Sequence, residues 1–171
     1  MASLSPSNKY AEAKTCVFWD IEDCPIPDGL NPEMVAKNIK SALVKKGYLG
    51  EVTIWAYGDK YQTQDYYQSA GIKLLCEGSK YERFRKMHLE LYKWRLTHAH
   101  ELTNMMVITG NNFEFASSLQ RHKESDQNIL TAKPEDAPGR CGGCSLSEAV
   151  VTDEWIWESL AAGGDPIARA L

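Results

Sequence analysis

Five short apolar runs, separated by stretches of helical periodicity, constrain this chain more than any other feature. The runs are 16–20 (CVFWD), 51–57 (EVTIWAY), 72–76 (IKLLC), 104–109 (NMMVIT) and 127–132 (QNILTA), the last being the weakest. β-Branched and aromatic residues at this density suit buried strands. Between the first two, Asn31-Pro32 is a cap-and-start pair, and Met34, Val35, Ile39, Ala42 and Leu43 recur at helical spacing until Gly47. A polar, Tyr- and Gln-rich helix is expected over 61–70, ended by Gly71. From Lys80 to Leu96, Phe84, Met87, Leu91 and Trp94 recur at intervals of three and four, the mark of an amphipathic helix. After Gly110-Asn111-Asn112 another helix carries Phe113, Phe115, Ala116 and Leu119. A loop over 133–144 and a last short helix holding Trp155, Trp157 and Leu160 complete the pattern.

Strands that alternate with helices predict an α/β fold, a three-layer sandwich with a mostly parallel central sheet covered on both faces. Its length, 171 residues, fits one domain, expected over 15–165 after a flexible N-terminal lead at 1–14. In such sheets ligands bind at the carboxyl ends of the strands, where strand order reverses. That edge is where the sequence concentrates its chemistry.

The first run drops straight into acid. VFWDIEDCPIP places Asp20, Glu22 and Asp23 within four residues and then stops at Pro25 and Pro27. Asp20 and Glu22, two apart, share a side of an extended strand. Like charges this close call for a cation, a proton or a basic partner. The fourth run ends in MVITGNNFEF. If the two strands are neighbours, Asp20, Glu22, Asn111 and Asn112, with Asp23 or Asp59, gather in one cleft of oxygen donors. Such a set suits Mg²⁺ or Mn²⁺ and the activation of water at a phosphate. The same residues also suit a plainer role, Asp20 and Glu22 capping a turn and Asn111 capping a helix.

A second pattern lies in the helix at 80–96. Lys80, Arg83, Arg85, Lys86, His88, Lys93 and Arg95 alternate with Tyr81, Phe84, Tyr92 and Trp94. Cations mixed with aromatics track single-stranded nucleic acid; alternatively this is a solvated face with its aromatics turned inward. A net charge of −4 supplies no global attraction to RNA, so binding must use such a local patch. No run approaches 18 apolar residues, so no membrane span is expected. Five cysteines, an odd number without a disulfide-framework spacing, point to reduced thiols and an intracellular site, cytoplasmic or nuclear. Cys141 and Cys144 form a lone CxxC, which reads as a glycine-rich loop ahead of a zinc or redox motif.

VFWDIEDCPIP closely resembles the first motif of NYN domains, FWDIENCxxP in the branch related to limkain and the meiosis regulator and mRNA stability factor. MMVITGNNFEFASSL is similar to that family's (S/T)-(G/T)-D-x-(D/N)-F segment, and the resemblance spans about 15–131. It implies a PIN-like ribonuclease fold in which acidic residues hold divalent metal to cleave RNA, with roles in RNA metabolism and post-transcriptional regulation. Position by position, Asp20 matches the leading metal-binding Asp and Glu22 the acidic residue after it. Asn111 stands where the family has a catalytic Asp, keeping an oxygen but losing the charge. Asp23 replaces an Asn, and the family's acidic position near the start of the preceding helix falls in KYERFRK, where Glu82 alone is acidic. Asp23, Asp59, Glu82 and Glu114 are the candidates to compensate, and Lys80, Arg83, Arg85, Lys86 and Asn112 the candidates to hold single-stranded RNA. The resemblance thus implies a metal-dependent endoribonuclease with a partly degenerate acidic site, or an RNA-binding pseudonuclease. A third reading is a protein-interaction module, as a homodimer or with a protein partner, built on the Trp155/Trp157 tail.

Overall fold

The computed structural model describes residues 9–59, 64–76, 78–136 and 150–168. Six strands form one sheet: β1 (Lys14–Asp20), β2 (Val52–Gly58), β3 (Ile72–Cys76), β4 (Thr103–Ile108), β5 (Asn128–Lys133) and β6 (Val151–Ile156). Between them run α1 (Pro32–Lys46), α2 (Gln64–Gln68), α3 (Lys80–Thr97) and α4 (Asn112–Glu124), and α5 (Trp157–Ala161) follows β6. The strand order is β3-β2-β1-β4-β5-β6, and every pairing is parallel. The chain builds outward from β1 in one direction, then jumps back across β1 to build outward from β4. The switch point therefore lies between the carboxyl ends of β1 and β4.

Alternation along β1 sorts the layers. Val17 and Trp19 join Val35, Ile39 and Leu43 of α1, Tyr67 of α2 and Leu160 of α5 on one face. Cys16 and Phe18 join Phe84, Met87 and Leu91 of α3 and Phe115 and Leu119 of α4 on the other. Each of these side chains contributes about 1.5–3 kcal/mol when fully buried. By the same alternation Asp20 points toward the α3/α4 layer, into the core rather than into solvent.

The expected caps form. Asn31 Oδ1 accepts from the Met34 N–H at 2.8 Å, Pro32 opens α1, and Gly47 ends it at φ 103°, a left-handed turn open to glycine. The tail departs from expectation. Trp155 belongs to a sixth strand, not to the last helix, and pairs with Ala132 of β5. Its run, VTDEWI, carries three partly exposed polar residues in the middle because an edge strand is paired on one side only. Trp155 and Trp157 are both buried, donating from their indole N–H groups to the carbonyls of Gly164 and Pro25. The tail thus fills the core, and these tryptophans present no surface to a partner.

The end of the lead is also tied down. Tyr10 is buried, and its hydroxyl donates to the Asp126 carbonyl and carboxylate at 3.0 and 3.1 Å. Tyr10 is thereby packed against the turn that follows α4. Among the described residues no helix is long and apolar enough to cross a membrane. Cys141 and Cys144 lie outside the described residues.

Candidate functional site

The site begins with the turn after β1. The Asp20 carboxylate folds back on its own backbone, Oδ1 accepting from the N–H groups of Glu22 and Asp23 at 3.0 and 3.2 Å. This Asx-type turn is the local reason for an Asp at the strand end. The Trp19 indole N–H fixes the far side of the turn on the Cys24 carbonyl at 2.8 Å. Glu22 turns toward β2, where its Oε1 accepts from the Asp59 N–H at 3.0 Å. Gly110, just past β4, lies so close to Asp23 that a Cβ there would come within 3.0–3.3 Å of the Asp23 side chain. Turns from β1, β2 and β4 thus converge at the switch point, as the strand pattern predicts.

What fills their centre is an arginine. Arg83, in the first turn of α3, is buried with its Nε 2.9 Å from Asp20 Oδ1 and its Nη2 3.8 Å from Asp23 Oδ1. The Nε–H is not aimed at the oxygen, so the contact is an ion pair without a hydrogen bond, and Asp20 Oδ2 also lacks a hydrogen-bond partner. Burial, reinforced by Asp23, pushes the Asp20 carboxyl up to about 6, against the pull of Arg83 and the two backbone N–H groups. Arg83 does not join the exposed RNA-contacting set expected for it, because it shares a helical stripe with Met87 and Leu91 that faces the sheet.

The remaining candidates take structural work or stay at the rim. Asn111 caps α4, its Oδ1 accepting from the Glu114 N–H at 3.1 Å, while its own N–H donates to Thr109 Oγ1. Glu82 is engaged at the start of α3: its N–H donates to Ser79 Oγ and its carboxylate accepts from the Gly78 N–H at 3.0 Å. Glu114 lies 3.5 Å from His88 Nε2. Asn112 is the first residue of α4. Lys80 and Arg85 are exposed, Lys80 with its ammonium 5.5 Å from the Phe84 ring centroid, and Lys86 is half-buried and paired with Glu90 at 3.2 Å.

Mg²⁺ is held at about 2.0–2.1 Å by oxygens in an octahedral shell, usually by one or two carboxylates with waters and phosphates. Here one oxygen of Asp20 is spent on the turn and faces a guanidinium, Glu22 is engaged with β2, and Asn111 Oδ1 is engaged with α4. Among the described residues no group of three or more His, Cys, Asp and Glu side chains is arranged to hold a metal. The residues therefore do not fit a metal as they stand, because a protein cation already neutralises Asp20.

At this edge Phe113 escaped the sequence reading, whereas Tyr81 was among the aromatics read together with the cations. Tyr81 and Phe113, in the first turns of α3 and α4, are 85% and 72% exposed. Phe113 was grouped with the helix's apolar residues, yet spacing could have separated it. Residues two apart in a helix fall on nearly opposite faces, so with Phe115 buried, Phe113 must face out.

A parallel doubly wound sheet binds ligands at its switch point, and here that point carries acid. The NYN domain family matches residues 14–141, most of the chain. The chain belongs to the NYN domain family, a PIN-like ribonuclease family that acts on RNA and generally uses divalent metal. No curated protein matches the chain.

Proposed function

We propose that this NYN domain binds single-stranded RNA at the carboxyl edge of its sheet as a degenerate nuclease, with Arg83 standing where the family's metal would be needed. The single observation that carries this reading is the buried Arg83–Asp20 ion pair, 2.9 Å long. A guanidinium is charged at every accessible pH and cannot be displaced by deprotonation. Loading a divalent ion beside Asp20 requires breaking that pair and burying the arginine elsewhere. RNA binding is supported by the family and by exposed groups in the first two turns of α3 and the first turn of α4: the cations Lys80 and Arg85 and the rings of Tyr81 and Phe113. Cations hold phosphates and rings stack on unpaired bases, which makes such a surface tolerant of sequence.

One observation favours the competing reading, a Mg²⁺- or Mn²⁺-dependent endoribonuclease using Asp20, Glu22 and Asn111. Asp20 Oδ2 is buried without a hydrogen-bond partner. The two readings separate in one assay: a labelled single-stranded RNA is incubated with Mn²⁺ and with wild type or Asp20→Asn. Salt-sensitive binding by wild type with no cleavage by either protein is the expected result. Metal-dependent cleavage that disappears in Asp20→Asn establishes the endonuclease instead. Absence of both binding and cleavage refutes an action on RNA.

A further inference from the structure

Away from the acidic edge, a cleft of about 310 Å³ opens between the sheet and the flank of α3. Its floor is Cys16 and Phe18, both buried, and its walls are Trp55 of β2 and Trp94 of α3. It lies where Phe18 of β1 and Trp55 of β2 meet the last turns of α3. Trp55 and Trp94 are half-buried. Both are fixed in place. Lys73 holds its ammonium 4.7 Å from the Trp55 ring centroid, His98 stacks on Trp94 at 3.6 Å between centroids, and the Trp94 indole N–H donates to Thr103 Oγ1 at 3.2 Å.

The polar groups of the cleft are few and of mixed sign. Lys73 and Lys93 stand beside the two rings. Glu90, its side chain 15% exposed, holds its carboxylate 3.2 Å from Lys86 and 3.6 Å from Lys93. An apolar slot with convergent polar groups is the usual form of a small-ligand site. Aromatic walls ask for a flat ring, ammonium groups for a phosphate, and an acceptor-only carboxylate for a ring edge that donates hydrogen bonds. Guanine presents two adjacent donors on one edge, at N1 and N2. Adenine and cytosine present one amino group beside an acceptor, which a carboxylate repels.

We infer that this cleft is a nucleobase pocket that takes guanine, stacked on Trp55 and Trp94, with Glu90 reading its donor edge and Lys73 and Lys93 holding the adjoining phosphate. The inference rests on the RNA-binding reading and deepens it, giving a strand that tracks α3 a base-specific anchor. The same chemistry would admit a free guanine nucleotide, so the test has an arm for each source.

Fluorescence anisotropy of the full chain with labelled oligouridine RNAs carrying one internal G, A or C provides the test, with unlabelled GMP as competitor. Wild type should bind the G-containing strand about tenfold more tightly than the others. Trp55→Leu should weaken it by about tenfold, the loss of one stacked base. Glu90→Gln should abolish the preference for G, so that all strands bind with one affinity, and Lys73→Gln should weaken the G-containing strand. GMP should displace the G-containing strand from wild type and not from Glu90→Gln. Glu90→Gln and Lys73→Gln are polar changes at the cleft mouth, so the test survives if Trp55→Leu fails to fold. RNA binding by wild type that is blind to G and unchanged in all three variants overturns the pocket while leaving the RNA-binding reading standing. GMP binding that neither competes with RNA nor responds to the variants overturns it as well. No RNA binding by wild type overturns both.

Discussion

The two edges of this one sheet bury polar groups in opposite ways. At the amino edge of β4, β5 and β6 lies a neutral network whose amides and hydroxyls pair with each other. Asn128 Nδ2 donates to Asn104 Oδ1 at 2.8 Å, Thr152 donates to Asn128, and Thr103 donates to Gln127. Asn104 in turn ties the lead down through the Tyr10 carbonyl at 3.2 Å. At the carboxyl edge the buried groups are charged and incompletely paired: Asp20 against Arg83, with Oδ2 and Nε left without hydrogen bonds. The neutral network closes its own hydrogen bonds, whereas the buried charge pair leaves two of its atoms without one. At the second edge the buried acid is met by an arginine.

The comparison breaks most visibly in stability. Removing one member of a buried ion pair strands the other charge, so Arg83→Ala should cost about 3–5 kcal/mol in urea unfolding. Replacing both, as Asp20→Asn with Arg83→Met, should recover most of that loss, since exchanging a buried pair for neutral groups is often nearly neutral. If the double variant is as unstable as Arg83→Ala, the pair is not what Arg83 supplies. At the amino edge Asn128→Ala leaves neutral groups unpaired and should cost less, about 1–3 kcal/mol.

Acid sharpens the same contrast, because the two edges respond with opposite sign. His122, buried near the end of α4 with Arg95 and His88 nearby, is held down to about 4, chiefly by burial. Its contribution to stability is whole above its unfolded value near 6.5 and is lost as pH falls toward 4, by roughly 3 kcal/mol at most. Asp20, raised to about 6, does the reverse: its contribution is whole below the unfolded carboxyl value and is lost as pH rises through 6. Between pH 6.5 and 4, relative to wild type, His122→Asn should therefore gain stability on acidification and Asp20→Asn should lose it. Parallel slopes in urea denaturation at stepped pH would show that neither group titrates as its surroundings dictate.

The smallest effect lies at the rim of the carboxyl edge. Lys80→Gln and Arg85→Gln should each leave the fold unchanged, weaken RNA uniformly across sequences, and lower the salt slope of binding by about one. A change in base preference in either variant would mean that these cations do more than hold phosphate.

Much of this frame was legible in the chain. Strand β3 occupies the residues expected of it, 72–76, and α1 starts and stops on its Asn31-Pro32 and Gly47 signals. Those signals are local, and local geometry satisfies them. Strand β6 was not legible, because its pairing with β5 is a long-range fact and its polar middle, Thr152-Asp153-Glu154, imitates a solvated segment. The acidic edge was legible as a place: the switch point gathers the turns that carry Asp20, Glu22, Asp23 and Asp59 and sets Gly110 against Asp23. Its chemistry was not. Composition showed a run of cations over 80–86, but which of them turns inward is a question of helical phase. Arg83 sits four and eight residues before Met87 and Leu91, on the one stripe of α3 that meets the sheet. Read for phase rather than for charge, that spacing would have separated Arg83 from Lys80 and Arg85.

The central claim is that Arg83 occupies the place of a cation at Asp20, and the most direct test is a calorimetric titration of wild type and Asp20→Asn with Mn²⁺. The account predicts superimposable isotherms, with no stoichiometric site that depends on Asp20. A site of one Mn²⁺ per chain in wild type that vanishes in Asp20→Asn would contradict it.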